Sequence, residues 1–204
     1  MGKVIFNNSV SLDGFVAGPN DSPENPLGDG GKKLFEWYFS GDTAYIMAGN
    51  VPEFRVSSAS AEVLAQATQS IGAMVAGRRM FDISNAWQGR PPGDGPCFIV
   101  THSAPHEWVK QGSPFTFVTD GVESAIQQAK AAAGDKNVAV SSASIAQQCI
   151  KAGLLDEIHI DLVPILLGSG VRLFENFGDK PIELETIRVV KGQGVTHLGF
   201  RVVK

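Results

Sequence analysis

Short apolar runs alternate with helical stretches along most of this chain, and this alternation limits the folds that it can adopt. The predicted strands are 3–12, 73–76, 97–100, 115–118, 138–140 and 158–166. The predicted helices are 57–70, 121–133 and 142–152, with shorter helical segments at 32–39 and 78–84. Strands that alternate with helices predict a mostly parallel sheet covered on both faces.

The end of the chain follows a different pattern. Two apolar runs, 187–190 and 198–203, flank Gly192–Gln193–Gly194 and predict a closing antiparallel hairpin. Neither an internal repeat nor a domain linker interrupts the 204 residues. We therefore expect one α/β domain over residues 1–204.

Composition narrows the class of protein. The net charge is −4, with 17 basic and 21 acidic residues and no basic run longer than a pair, which argues against a nucleic-acid partner. No apolar stretch approaches the length of a membrane span, and the N-terminus lacks the layout of a signal peptide. Cys97 and Cys149 lie among apolar residues and predict buried thiols in a reducing compartment. The expectation is a cytoplasmic globular protein.

Four loops are the candidate binding segments, because ligands of parallel sheets bind beyond the carboxyl ends of the strands. They follow residues 12, 76, 100 and 140. Their first residues are Asp13, then Gly77, Arg78 and Arg79, then Thr101, His102 and Ser103, and finally Ser141, Ser142, Ala143 and Ser144.

Three of these loops suit phosphate groups. The small residues 141–144 and the following helix start would let backbone amides approach a phosphate, although Ser142 or Ser144 could instead simply cap the helix. Arg78 and Arg79 are suited to phosphate recognition, and the alternative is that they solvate a helix start. The side chains of 101–103 could hold a ribose or adenosine phosphate, or form only a turn with capping residues.

Asp13 is the carboxylate best placed for chemistry. It ends the first strand and opens a long polar loop that extends to about Gly31. Such a group could bind an amino-heterocycle or relay a proton, whereas the alternative is an Asx-turn at Asp13–Gly14. Desolvation beside a ligand would raise its pKa. The four histidines lack metal-ligand spacing, so no metal site is predicted.

Taken together, the loops resemble the dihydrofolate reductase-like superfamily, and most closely the reductase domain of the bifunctional riboflavin-biosynthesis deaminase-reductase. The resembling segments are SLDGFVA at 11–17, GRRMF at 77–81, FIVTHS at 98–103 and the stretch 140–175, in family order and spacing. The resemblance implies a three-layer dihydrofolate reductase-like fold with a mostly parallel sheet. It also implies a homodimer and an NADPH-dependent reductase of a pyrimidine- or pterin-like small molecule, similar to 5-amino-6-(5-phosphoribosylamino)uracil reductase. Dihydrofolate reductase activity and a non-catalytic NADP(H)-binding protein are the alternatives.

The resemblance also implies roles for individual residues. The cofactor-binding residues would be Val16, Ala17, Gly77, Arg78, Arg79, Thr101, His102, Ser103, Ser141, Ser142, Ala143, Ser144 and Ile145. Among them, Arg78 would bind the 2′-phosphate. Asp13 would be the catalytic residue and would face the substrate, together with Leu167, Gly168, Ser169 and Gly170.

The chain departs from the family pattern at two places. The family usually has two adjacent glycines where this chain has Ser141–Ser142, and the added Cβ atoms narrow the approach of a ligand to the backbone. Riboflavin-pathway relatives often carry an acid at the preceding position, which is Val140 here. We therefore expect the ribosylated aminopyrimidinone to be a poorer substrate for this chain than for those enzymes.

Overall fold

The computed structural model describes residues 2–46, 53–175, 177–178 and 180–204. The strands are β1 (Val4–Ser11), β2 (Phe15–Ala17), β3 (Thr43–Tyr45), β4 (Phe54–Val56), β5 (Ile71–Gly77), β6 (Cys97–Val100), β7 (Phe115–Val118), β8 (Asn137–Val140), β9 (Glu157–Val163), β10 (Val171–Arg172), β11 (Leu184–Lys191) and β12 (Thr196–Val202). The α-helices are α1 (Ser58–Ser70), α2 (Arg78–Ile83), α3 (Val122–Ala133) and α4 (Ala143–Lys151). The segment Gly31–Phe39 is a 3-10 helix, called the aromatic helix below.

One eight-stranded sheet, in the order β11-β12-β9-β1-β8-β5-β6-β7, forms the centre of the fold. The six strands from β9 to β7 in this order are parallel to one another. Strand β12 pairs antiparallel with β9, and β11 pairs antiparallel with β12. The predicted parallel sheet and closing hairpin are both confirmed.

Helices cover the two faces of the sheet unequally. On one face, α3 and α4 pack over the central strands and bury the main core, which includes Phe6, Val75 and Val140. The other face carries two smaller clusters. One lies around Phe81 of α2, and the other joins Leu34 and Trp37 of the aromatic helix to Leu64 of α1. The result is the predicted three-layer arrangement.

The structure corrects several predicted boundaries. The segment 13–31 is not entirely a loop, because β2 lies within it and pairs with β10. The β3–β4 hairpin was not predicted. The strand predicted over 158–166 with an interruption at Pro164 ends at Val163, since Pro164 has no backbone N–H to continue the ladder.

The two cysteines are confirmed as buried free thiols. Burial raises the pKa of Cys97 to about 12, and burial together with Glu123 raises the pKa of Cys149 to about 12. Both thiols are therefore protonated at neutral pH and act as small core side chains.

Candidate active site

The parallel strands bring the four predicted loops to one edge of the sheet. Strands β9, β1, β8, β5 and β6 are consecutive neighbours and run in the same direction, so their carboxyl ends lie side by side. Every predicted site residue outside β2 lies at the carboxyl end of one of these strands or in the loop or first helical turn that follows it. This edge is the candidate site.

Gly77 and Ser142 join two of the predicted phosphate loops. The amide of Gly77 donates to Ser142 Oγ at 3.2 Å. A Cβ atom on residue 77 would lie 3.1 Å from the same hydroxyl and 3.3 Å from Ile145 Cγ1, so glycine permits the close approach. The ends of β5 and β8 thus form a continuous surface.

The serine pair is accommodated without backbone strain. Ser142 precedes α4 with φ −143° and ψ 146°, an extended conformation that any residue adopts. Its hydroxyl makes no capping bond to α4, so Ser142 does not cap the helix, and the oxygen accepts instead from the amide of Gly77. Ala143 and Ile145 are buried in the main core, which leaves their backbone as the part that could meet a ligand.

Arg78 lies beside the loop 101–103. Its Nη1 donates to the carbonyl of Ser103 at 2.8 Å, and its Nε donates to Asp82 Oδ1 at 2.8 Å. Thr101 is buried and its hydroxyl donates to the same Ser103 carbonyl at 2.8 Å, whereas His102 and Ser103 are exposed. The structure therefore brings together the guanidinium and the loop that were both predicted to meet a 2′-phosphate.

Arg79 is paired with an acid of the loop that follows β2. Its Nε and Nη2 donate to the two carboxylate oxygens of Asp21 at 3.0 and 2.5 Å. Hydrogen bonding and charge attraction from Asp21 raise the pKa of Arg79. The ion pair joins α2 to the loop that follows β2, although the two residues are 58 positions apart in the chain. No sequence motif signals such a pair.

Asp13 is part of a tight junction between β1 and the loop after β9. Its carboxylate accepts hydrogen bonds from Ser11 Oγ at 2.6 Å, Leu167 N at 3.1 Å and Gly168 N at 2.7 Å. The Ser11 hydroxyl and the two amides lower the pKa of Asp13 to about 2. The pKa is lowered because the donors favour the charged form more than desolvation disfavours it, whereas the predicted increase concerned Asp13 beside a bound ligand.

The residues predicted to meet the nicotinamide and the substrate lie next to Asp13. Val16 and Ala17 are buried in β2, and Ala17 pairs with Val171 of β10. A Cβ atom on Gly170 would lie 2.1 Å from the carbonyl oxygen of Ala17, so the loop 167–170 can contact β2 only with glycine there. Asp13, β2 and the loop 167–170 form one end of the site.

Beneath the aromatic helix lies a buried polar network that the sequence analysis missed. Asp161 Oδ1 and His197 Nδ1 are 2.7 Å apart, and His197 Nε2 lies 2.9 Å from Ser60 Oγ. Trp37 Nε1 donates to Ser9 Oγ at 3.0 Å. These five side chains are all buried, and they attach the aromatic helix and α1 to β1, β9 and β12.

Only a weak signal for this network exists in the sequence. His159 and Asp161 share one face of β9, as predicted, and His159 Nε2 pairs with Glu157 Oε2 at 3.0 Å. His197 and Ser60 lie far from Asp161 in the sequence, so their contact depends on the tertiary fold. In the part of the chain that the structure describes, no group of three His, Cys, Asp or Glu residues could hold a metal ion.

The mostly parallel sheet, with the candidate loops at the carboxyl ends of its strands, defines an α/β protein with a dihydrofolate reductase-like fold. A protein from Shewanella sp. PV-4 that has been assigned to riboflavin biosynthesis has a structure similar to this one, with TM-score 0.70 and 19% sequence identity. The match covers 100% of both chains. Dihydrofolate reductase from Enterococcus faecalis, complexed with NADP(H), matches with TM-score 0.58 at 11% identity over 100% of this chain and 98% of that one. Riboflavin biosynthesis reductase Rib7 from Saccharomyces cerevisiae matches with TM-score 0.59 at 13% identity over 99% and 90%.

Within this class the chain belongs to the RibD C-terminal domain family, whose model matches residues 2–198. No curated protein matches the chain. The resemblance drawn from SLDGFVA, GRRMF and FIVTHS is thereby confirmed at the level of the family. Among the described residues, no helix has both the length and the apolar character needed to cross a membrane.

Proposed function

We propose that this protein is an NADPH-dependent reductase of a pyrimidine- or pterin-like small molecule. The observation that carries the proposal is the junction of three predicted cofactor loops, through the Gly77–Ser142 and Arg78–Ser103 hydrogen bonds. Membership in the RibD C-terminal domain family supports a reductase. NADPH would supply the hydride, and the chain would bind and orient both partners.

The donor groups along the edge suit a dinucleotide phosphate. The first amides of α4 have no side-chain cap, and Gly77 and the small residues 141–144 leave the backbone approachable. Arg78 lies beside exposed His102 and Ser103, a polar setting in which a guanidinium can bind a 2′-phosphate. Val16 and Ala17, at the other end of the edge, would border the nicotinamide.

The substrate end would be bounded by Asp13 and the loop 167–170. The hydrogen bonds from Ser11, Gly168 and Leu167 lower the pKa of Asp13 to about 2, so in this structure its carboxylate is an acceptor of hydrogen bonds rather than a proton donor at neutral pH. We propose instead that it is a positioning residue, which holds the amides of Leu167 and Gly168 in place. Val140, at the position where riboflavin-pathway relatives often carry an acid, is buried in the main core.

The experiment has two parts. Calorimetric titration with NADPH and NADH tests the cofactor, with tighter binding of NADPH expected. NADPH oxidation is then followed spectroscopically against a panel of pyrimidine, pterin and quinone-like compounds. Efficient reduction of dihydrofolate would favour dihydrofolate reductase activity, and an absence of NADPH binding would contradict the proposal.

A second candidate function is a non-catalytic NADP(H)-binding protein. The ionised state of Asp13 favours it, because the best-placed carboxylate of the site is not a proton donor. The same two measurements, NADPH binding and NADPH oxidation, distinguish a reductase from a binding protein. A binding protein would show tight NADPH binding with no oxidation on any compound of the panel.

We further propose that the protein is a cytoplasmic homodimer. Strand β11 is an edge strand of the central sheet, and its side chains include Leu184 and Val189, which are 43% and 63% exposed. An edge strand with unpaired backbone groups and exposed apolar side chains favours pairing with a second copy.

A further inference from the structure

Asp21 and Arg79 form a clasp between two segments of the candidate site. Arg79 donates to both carboxylate oxygens of Asp21, and its Nη2 also donates to the Asp21 carbonyl at 3.2 Å. The Asp21 side chain is only 10% exposed, whereas that of Arg79 is 68% exposed. The acid is thus held under a guanidinium that remains open to solvent.

The segment 18–30, called the strap here, connects β2 to the aromatic helix. The clasp holds the strap against α2, so that its first residues pass the end of β8. The strap leaves β2 beside the end of β1, and Arg79 follows β5. Strand β8 lies between β1 and β5, so the strap spans two strand spacings, about 10 Å, past the carboxyl end of β8. Residues 141–144 lie at that end.

The strap is braced by hydrogen bonds within itself. Asp29 accepts hydrogen bonds from Asn20 Nδ2 at 2.7 Å and from Asn25 Nδ2 at 3.1 Å. The amide of Gly18 donates to the carbonyl of Leu27 at 2.9 Å and closes the base of the strap. The hydrogen bonds from Arg79 are the side-chain contacts that tie this unit to α2.

The geometry of the clasp is that of phosphate recognition. Two guanidinium nitrogens that face two carboxylate oxygens present the same donor fork that binds two phosphate oxygens. A cofactor phosphate that reached Arg79 would therefore compete with the Asp21 carboxylate for one guanidinium. Their like charges would also repel each other.

We propose that Asp21 sets the affinity of the site for its cofactor by occupying Arg79. Binding of the cofactor exchanges the Asp21 carboxylate for a cofactor phosphate on Arg79 and releases the strap from α2. This inference rests on the proposed function, because it requires a dinucleotide phosphate at the edge of the sheet.

Two substitutions that break the clasp from opposite sides test the exchange. Asp21→Asn frees the strap and also frees the guanidinium, whereas Arg79→Ala frees the strap and removes the guanidinium. NADPH is titrated by calorimetry, and hydrogen–deuterium exchange of residues 19–29 is measured with and without NADPH. Glu24→Gln removes another acid of the strap, one that accepts from Ser22 Oγ at 3.0 Å, and is the matched control.

We expect Asp21→Asn to bind NADPH about fivefold more tightly than wild type, the scale of a partly exposed ion pair, and Arg79→Ala to bind it more weakly. Strap exchange should rise on NADPH binding in wild type, should be high in both clasp variants before NADPH is added, and should be normal in Glu24→Gln. Two results would overturn the proposed exchange and leave the proposed function standing. One is equal NADPH affinity for wild type and Asp21→Asn. The other is slower hydrogen–deuterium exchange of the strap when NADPH binds to wild type. NADPH binding by neither wild type nor any variant would overturn both.

Discussion

The carboxylate of Asp13 accepts a hydrogen bond from the amide of Gly168 at 2.7 Å, which ties the turn after β1 to the loop after β9. The amide of Leu167 donates to the same carboxylate. Asp13, which was expected to relay a proton, therefore holds the loop after β9 in place. The two sides of the substrate end are therefore held by one ionised side chain.

Asp13→Asn should loosen this loop without unfolding the protein. An asparagine offers one acceptor oxygen in place of two, so at least one of the amides of Leu167 and Gly168 loses its partner. We expect faster hydrogen exchange at these two amides and an unchanged NADPH affinity. If a substrate turns over, its KM should rise more than its kcat falls. A large loss of kcat with KM unchanged would instead place Asp13 in the chemical step.

Acid should release the same loop over a defined range of pH. The pKa of Asp13 is about 2 in the folded protein and is ordinarily near 3.8, so its stabilising contribution is complete above about pH 4. It is lost as the pH falls from about 4 toward 2. NMR of the Gly168 amide through this range should show a transition in wild type. Persistence of the same transition in Asp13→Asn would assign it to another group.

Arg78→Ala should reduce the preference for NADPH over NADH. A charge-assisted hydrogen bond from a guanidinium to a phosphate is worth roughly 1.5–3 kcal/mol, which corresponds to about one to two decades in the ratio of Kd values. Arg55, an exposed arginine on β4, provides the matched control as Arg55→Ala. Equal selectivity in wild type and Arg78→Ala would remove Arg78 from the 2′-phosphate site.

His197→Ala should destabilise the fold. It leaves the buried carboxylate of Asp161 without its 2.7 Å partner and Ser60 Oγ without the imidazole at 2.9 Å. A buried polar group left without its partner costs roughly 1–3 kcal/mol in free energy of unfolding, and more when it is charged, and removing the imidazole also leaves a cavity. Ser60→Ala, which leaves the Asp161–His197 contact in place, should cost only about 1 kcal/mol. Urea unfolding measures both, and similar losses for the two variants would contradict this ranking.

Val189→Glu should weaken the proposed dimer. Sedimentation of wild type at micromolar concentration should give a species of twice the 21.7 kDa chain mass. Val189 is 63% exposed on β11, and a buried charge at an interface between copies would oppose association. Val109, 60% exposed and away from β11, gives the control Val109→Glu. A single 21.7 kDa species in wild type would contradict the dimer.

Local sequence patterns sufficed for the elements that form from nearby residues. Helix α1 covers 58–70 and strand β6 covers 97–100, in close agreement with their predicted ranges, because apolar spacing and turn residues lie within the segments themselves. The parallel direction of the strands, and with it the edge at which the loops meet, followed from the alternation of strands and helices, whereas the order of the strands in the sheet did not.

The short paired strands and the partners of charged groups could not be obtained in this way. Strand β2 is stabilised by pairing with β10, which lies more than 150 residues later in the chain. The hydrogen bonds from Leu167 and Gly168 to Asp13 join segments more than 150 residues apart, and the role of Arg79 depends on Asp21. The sequence by itself determined the class of fold and the strand ends at which chemistry can occur, since both depend on local spacing. Only the tertiary structure decided which side chain meets which, because hydrogen bonds and ion pairs act over a few ångströms between segments that are distant in the chain.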